Sequence, residues 1–147
     1  MSGAGRNERR ENYREFIQIP TRWMDNDVYG HVNNVVYYSY FDTAVNGFLM
    51  RQADLDYRSS AAVGVVAETG CQFYGPIAFP DTLDVGIRIR RLGTTSVTYE
   101  IGIFRQGRED PAATGHFVHV YVRHGEMTPV PIPDKARAAL EKLVVEA

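Results

Sequence analysis

The sequence predicts an α+β fold in which antiparallel strands wrap one long central helix. Residues 34 to 53 contain no proline and are nearly all apolar, with only one narrow polar stripe. A helix with so little polar surface is built to be covered. From about residue 62 the apolar residues recur at every second position instead, which is the period of a strand. Turn residues such as Gly75-Pro76, Pro80-Asp81 and Gly93-Thr94-Thr95 break that pattern at short intervals, so the later strands join as hairpins.

Taken in order, residues 1 to 12 are polar, glycine-containing and charged, and read as a disordered tail. Glu8 and Glu11 cancel much of the charge of Arg6, Arg9 and Arg10. Residues 13 to 147 read as a single domain. Glu15-Phe16-Ile17-Gln18-Ile19-Pro20 alternates briefly and suits a first strand. An acidic loop follows, and then the central helix. Ser39, Asp42, Thr43 and Asn46 fall at i, i+3, i+4 and i+7, which places them on one side of it. Residues 54 to 60 are polar and form its exit.

Val63, Val65, Ala67, Thr69, Cys71 and Phe73 then share one face of a long strand. Val85, Ile87 and Ile89 alternate with Gly86, Arg88 and Arg90. Val97, Tyr99, Ile101 and Ile103 line a third strand, and Val118, Val120 and Val122 a last one. Pro129, Pro131 and Pro133 straighten the chain before a short helix over residues 134 to 145, with Asp134 near its start. One sheet alone would leave the central helix half exposed. A second copy that extends the sheet would cover it, so a homodimer or homotetramer is expected.

Composition narrows the function classes. The 147 residues suit one domain with a real core. A net charge of −2 gives no pull toward nucleic acid or anionic membrane. Cys71 is the single cysteine, which excludes an internal disulfide and any multi-cysteine metal site. No apolar run is long enough to span a bilayer, and no signal-peptide segment opens the chain. A cytoplasmic location is expected.

Chemistry concentrates between residues 22 and 41. Asp25-Asn26-Asp27, a Gly30-His31 turn and Asn33-Asn34 stand at the mouth of the apolar helix. Asn33 or Asn34 can cap the helix, since an asparagine oxygen accepts from free N–H groups of the first turn. The positive end of the helix dipole then faces the loop. Such an end stabilises negative charge, including the oxyanion formed when a carbonyl is attacked. A carboxylate beside it suits acyl transfer. An ordinary capped helix beside a solvated loop fits the same spacing.

Asp27, followed by Gly30-His31-Val32-Asn33-Asn34 and Tyr37, resembles the signature of hotdog-fold acyl-CoA thioesterases of the 4-hydroxybenzoyl-CoA thioesterase-like group. The resemblance continues through Gln72-Phe73, Pro76, Asp81-Thr82-Leu83 and Gly93-Thr94-Thr95-Ser96, and so covers roughly residues 14 to 125. It implies a sheet wrapped around a central helix. It also implies that Asp27 is the catalytic carboxylate, as nucleophile or as the base that activates water, and that the backbone N–H of Asn34 holds the oxyanion. Gly30, His31, Asn33, Tyr37 and Ser96 are then expected at the substrate, with Gly30 permitting close approach of the chain. Tyr29 departs from the pattern, being bulkier than the residue usual there, and would narrow the acyl entrance. No cofactor is implied.

Histidines, the cysteine and a basic strip offer further chemistry. His31 has a pKa suited to proton transfer, but with Asp27 assigned that work it is expected to order the loop by hydrogen bonding. His116 and His119 are an odd number apart on a strand, point to opposite faces and cannot grip one metal; no metal site is expected. Cys71 lies among apolar neighbours and reads as an inert buried thiol. No Gly-x-Ser-x-Gly elbow or phosphate-binding glycine loop is present.

Arg88, Arg90 and Arg91 suit either edge protection or the phosphates of coenzyme A. Asp42, about two turns inside the helix, is the second carboxylate that could serve catalysis, across a dimer. The leading expectation is hydrolysis of an acyl-CoA, or acyl carrier protein, thioester. The alternative is a non-catalytic acyl-CoA binding or sensing module on the same fold.

Overall fold

A computed structural model of the chain describes residues 5–145. Its elements are β1 (Glu15–Pro20), α1 (Val36–Gln52), β2 (Ala62–Phe73), β3 (Thr82–Leu92), β4 (Ser96–Arg105), β5 (Ala113–Arg123) and α2 (Asp134–Glu141). The strands form one antiparallel sheet in the order β1-β3-β4-β5-β2. The result is the α+β hotdog arrangement, a curled sheet around one long helix.

The core is the layer between α1 and the concave face of the sheet. The helix contributes Tyr37, Tyr40, Phe41, Ala44, Val45, Phe48 and Leu49, all buried. The sheet contributes Val85, Ile87 and Ile89 from β3, and Val97, Tyr99, Ile101 and Ile103 from β4. Burial of such side chains is worth roughly 1.5–3 kcal/mol each. Gly115 on β5 sets how closely the layers approach. A Cβ there would stand 2.5 Å from the Phe41 ring and 2.4 Å from the Gly70 carbonyl, so a side chain would push helix and sheet apart. The polar stripe of α1 stays outside this layer, with Ser39, Asp42 and Thr43 exposed.

Two strand readings are corrected. In β2 the register slips between Val66 and Glu68, which leaves Ala67 as an extra residue against β5. A bulge of this kind reverses which face the following side chains occupy. Val63 and Val65 therefore lie on the opposite face from Thr69, Cys71 and Phe73, not on one shared face. In β5 the core-facing residues are Phe117, His119 and Tyr121, while Val118 and Val120 are half-buried on the outer face. His119 is 1% exposed. Its Nδ1 and the hydroxyls of Tyr99 and Tyr121 have no hydrogen-bond partner among the described residues. Burial lowers the His119 pKa to about 4, so the ring is neutral at ordinary pH.

The amino-terminal segment is also corrected. Residues 1 to 4 of the expected tail lie outside the described residues, but the rest is attached to the sheet. Arg10–Asn12 form a 3₁₀ turn. Glu8 receives two hydrogen bonds from Arg88, at 2.8 and 3.0 Å, and Arg10 pairs with Asp84 at 2.9 Å. Tyr13 is buried and packs edge-on against Phe104, with centroids 5.8 Å apart. Glu8 and Arg10, expected to cancel within the segment, instead pair with partners far along the chain.

Candidate active site

The loop between β1 and α1 folds into a miniature hairpin. The Asn33 N–H donates to the Asp25 carbonyl at 3.0 Å, Asn26 pairs with Val32, and the Asp27 N–H donates to the His31 carbonyl at 2.9 Å. The turn is closed by the Gly30 N–H on the Asp27 carbonyl at 3.0 Å. Gly30 has φ +88°, a left-handed conformation that glycine adopts without penalty. The hairpin is fixed to the β2–β3 connection by the Val32 N–H on the Ile77 carbonyl at 2.8 Å and the Phe79 N–H on Asn26 Oδ1 at 3.0 Å.

Within this frame Asp27 is half-buried, and its carboxylate accepts one hydrogen bond, from the Tyr29 N–H at 2.9 Å. That leaves most of its acceptor capacity open. Asn33, rather than Asn34, caps the turn that leads into α1 at Val36. The Asn33 Oδ1 accepts the Val35 N–H at 2.9 Å, and its carbonyl accepts the Val36 N–H at 2.9 Å. The Tyr37 and Tyr38 N–H groups bond the carbonyls of Asn34 and Val35. Of the seven N–H groups from Val32 to Tyr38, the one on Asn34 alone has no acceptor among the described residues. It stands at the positive end of α1, on the strand of the hairpin that returns from Asp27.

The structure thus brings Asp27, Gly30, His31, Asn33 and Asn34 together, with Tyr37 beneath them. Tyr37 is buried, and its ring meets Phe73 edge-on at 4.8 Å. Desolvation moves its hydroxyl pKa up to about 12, so it stays protonated. His31 orders the loop through its backbone carbonyl, and its exposed imidazole makes no hydrogen bond among the described residues. Tyr29 is 84% exposed and Val28 94%, so Tyr29 turns outward in the single chain.

The arginines and Ser96 are not part of this cluster. β3 begins at Thr82, next to the hairpin's anchor, and runs to Leu92, a rise of roughly 30 Å. Arg88 is therefore well up the strand, while Arg90, Arg91 and Ser96 are near its far end. Arg88 is only 8% exposed. It is enclosed by Glu8, by Glu100 at 2.7 Å, by the Asn12 carbonyl at 3.1 Å and by the Tyr13 ring at 4.6 Å. Arg90 also bonds Glu100, at 2.9 Å. Four of the five Arg88 N–H donors are taken within the chain, which leaves one for a phosphate. The side chain of Arg91 has no partner among the described residues.

Asp42 is exposed, and the Asn46 amide donates to its carboxylate at 3.0 Å and to its carbonyl at 2.9 Å. It lines a groove of about 500 Å³ between α1 and the start of β2, with Asn46, Leu55, Tyr57 and Gly64. A second groove of about 500 Å³ lies on the outer face of the sheet, along Glu8, Gln72, Arg88 and His116. Neither is lined by Asp27 or Asn34. Among the described residues no group of three or more His, Cys, Asp or Glu side chains could hold a metal ion. No helix among them is long and apolar enough to cross a membrane. Burial raises the Cys71 pKa to about 12, which keeps it an unreactive thiol.

Residues 21–140 match the thioesterase-like superfamily. The chain belongs to that family. Thioester hydrolysis is the chemistry that membership supports. Among solved structures, the PA5185 protein from Pseudomonas aeruginosa strain PAO1 is similar, with 45% identity over 95% of this chain and 98% of that one, and a TM-score of 0.93. A thioesterase from Thermus thermophilus, complexed with coenzyme A and Zn, shares 30% identity over 90% of this chain and 96% of its own, with a TM-score of 0.73. The gentisyl-coenzyme A thioesterase BH1999 shares 26% identity over 86% and 99%, with a TM-score of 0.75. No curated protein matches the chain.

The feature that sequence reasoning missed is Asp25. Its carboxylate is 1% exposed and accepts the Arg22 N–H at 2.9 Å, the Arg22 guanidinium at 2.9 and 3.0 Å, and the Tyr40 hydroxyl at 2.8 Å. Burial works to raise its pKa, but the donors of Arg22 and Tyr40 outweigh it and hold the carboxyl below its ordinary value. Alternation along the loop separates it from Asp27 by two positions, but nothing local in the sequence says which of the two is turned inward.

Proposed function

We propose that the protein hydrolyses acyl-coenzyme A thioesters to free acid and coenzyme A, with Asp27 as the catalytic carboxylate. The observation that carries this is the unused N–H of Asn34, at the positive end of α1, on the same hairpin as an under-bonded carboxylate. A thioester carbonyl placed there meets a donor for its developing oxyanion. As general base, Asp27 takes a proton from water while the water oxygen attacks the carbonyl carbon. Collapse of the tetrahedral intermediate breaks the C–S bond and releases the thiolate, which takes up a proton. As nucleophile, the Asp27 carboxylate would instead attack the carbonyl carbon and expel the thiolate, forming a mixed anhydride that water then hydrolyses to free acid and the regenerated carboxylate. Gly30 lets the substrate approach the backbone, Asn33 orients the Asn34 peptide, Tyr37 walls the site, and the imidazole of His31 faces the solvent side of the substrate.

Coenzyme A is the favoured thiol because two of the similar proteins are described with it, as substrate name or as bound ligand. The protein works as a homo-oligomer, at least a dimer. β2 is a 12-residue edge strand bonded on one side only, and the polar stripe of α1 beside it is uncovered. Arg91 and Ser96 lie too far along the sheet to serve their own hairpin, so a role at coenzyme A requires them to reach a neighbouring subunit's site.

Thiol release from a panel of acyl-CoAs, acyl carrier protein thioesters and short thioesters without the nucleotide tests the reading. Turnover favouring acyl-CoA is expected, with Arg91→Gln raising KM for acyl-CoA alone. Binding of acyl-CoA without release of thiol from any donor would replace the enzyme by a binding module. Sedimentation that gives a folded monomer at low concentration would remove the oligomer.

A further inference from the structure

We propose that Asp25 and Tyr40 are positioning residues, a buried carboxylate–phenol clamp that sets the direction of the Asn34 N–H. The inference rests on the thioesterase reading above and assigns roles to two residues outside the motif that suggested it. Asp25 joins three segments of chain. Its backbone holds Arg22 on one side, N–H to carbonyl at 2.9 Å, and Asn33 on the other, where the Asp25 carbonyl accepts the Asn33 N–H at 3.0 Å. Its side chain reaches across to Tyr40, one turn into α1, at 2.8 Å.

The position of Asn33 makes this a device for the oxyanion site. Its N–H is fixed by Asp25, while its carbonyl and side-chain oxygen are fixed by Val36 and Val35. The peptide that carries the Asn34 N–H is thereby held on the loop side and the helix side at once. Tyr40 completes the clamp because its ring is buried beneath the same turn, 6.2 Å from the Tyr37 ring. A carboxylate at 1% exposure would be strongly unfavourable without such a set of donors. An apolar residue would fill the space but could not tie loop to helix. Small displacements of a donor from its working position reduce rate far more than they reduce binding.

The test uses the full-length protein with a thioester that it turns over, and compares Tyr40→Phe, Asp25→Asn and Val45→Ala. Val45 is fully buried on the same helix and controls for lost stability. Tyr40→Phe is expected to lower kcat about tenfold with KM changed less than about twofold, and Asp25→Asn about a hundredfold. Both should speed hydrogen exchange at the Asn33 amide, which the Asp25 carbonyl holds, whereas Val45→Ala should lower Tm and leave kcat and that amide alone. If Asp25→Asn does not fold, Tyr40→Phe decides alone. A folded Tyr40→Phe with wild-type kcat and unchanged Asn33 exchange would overturn the clamp and leave the thioesterase reading standing. A wild-type protein without thioesterase activity would sink that reading, and exchange at the Asn33 amide would still show whether the clamp holds the turn that carries Asn34.

Discussion

The Asp27 hairpin and the arginine strip of β3 are both rich in polar groups, and the fold finishes them in opposite ways. Arg88 is surrounded by two carboxylates, a carbonyl and an aromatic face. Every one of those contacts favours the guanidinium staying where it is. Asp27, by contrast, accepts a single backbone bond, and Asn34 offers an N–H that nothing takes among the described residues. Charge alone does not mark a reactive place. Donors and acceptors left unsatisfied where a ligand can reach them do, because only these have interaction free energy still to give to a transition state.

The largest expected effect breaks the open region. Asp27→Asn keeps shape and removes charge, and should lower kcat by about 10²- to 10⁴-fold with substrate still bound, as read by thiol release and by ligand titration. If Asp42→Asn gave that loss instead, the catalytic carboxylate would move to the helix. The closed region should respond in stability. Arg88→Gln leaves Glu8 and Glu100 facing each other without their shared cation, and should destabilise by roughly 3–5 kcal/mol in denaturant unfolding. Its activity at a permissive temperature should persist, and a rise in KM without unfolding would return Arg88 to the substrate.

His119 sharpens the contrast, since it too lacks a partner but is sealed in the core. Its folded pKa is about 4, below the ordinary 6.5. As pH falls from about 6.5 to 4, the unfolded chain takes up a proton that the folded chain refuses. Stability should therefore drop by about 3 kcal/mol across that window and change little above it. His119→Gln should flatten the profile there. Asp25, whose carboxyl is held low, adds a further loss only once the pH passes below about 4. The smallest effect is expected at Asp42. Asp42→Asn on the exposed stripe should shift stability by no more than about 0.5 kcal/mol and leave kcat unchanged.

What was legible in the sequence was what local spacing encodes. The proline-free run became α1, and the period-two runs became β3 and β4 with the expected inward faces. The closeness of Asp27, Gly30, His31, Asn33 and Asn34 was legible because they lie within one turn-sized stretch; the roles that the family resemblance implies for them belong to the proposal. The bulge at Ala67 was not, since an alternating pattern continues through it and only pairing with β5 reveals the slip. The core face of β5 was ambiguous because both of its faces are apolar enough to be buried. The environment of Arg88 depends on Glu8, 80 positions away, and Asp25 meets Tyr40 across loop and helix. Such partnerships leave no periodic trace.

The order of the sheet also has a kinetic side. β3, β4 and β5 are neighbours in the chain and in the sheet, whereas β1 closes against β3 between residues 15 and 87, and β2 against β5 between 62 and 123. Closing short loops is entropically easier than closing long ones. The meander from Thr82 to Arg123 is therefore expected to form early, with both edges and the Asp25–Asn33 hairpin added afterwards. Pulse-labelled hydrogen exchange during refolding should protect the Val97 to Ile103 amides before those of Val32 and Asn33, and simultaneous protection would refute that sequence of events. Since the hairpin joins last, it can also come away first, so local opening at the mouth of α1 could admit substrate while the meander stays intact.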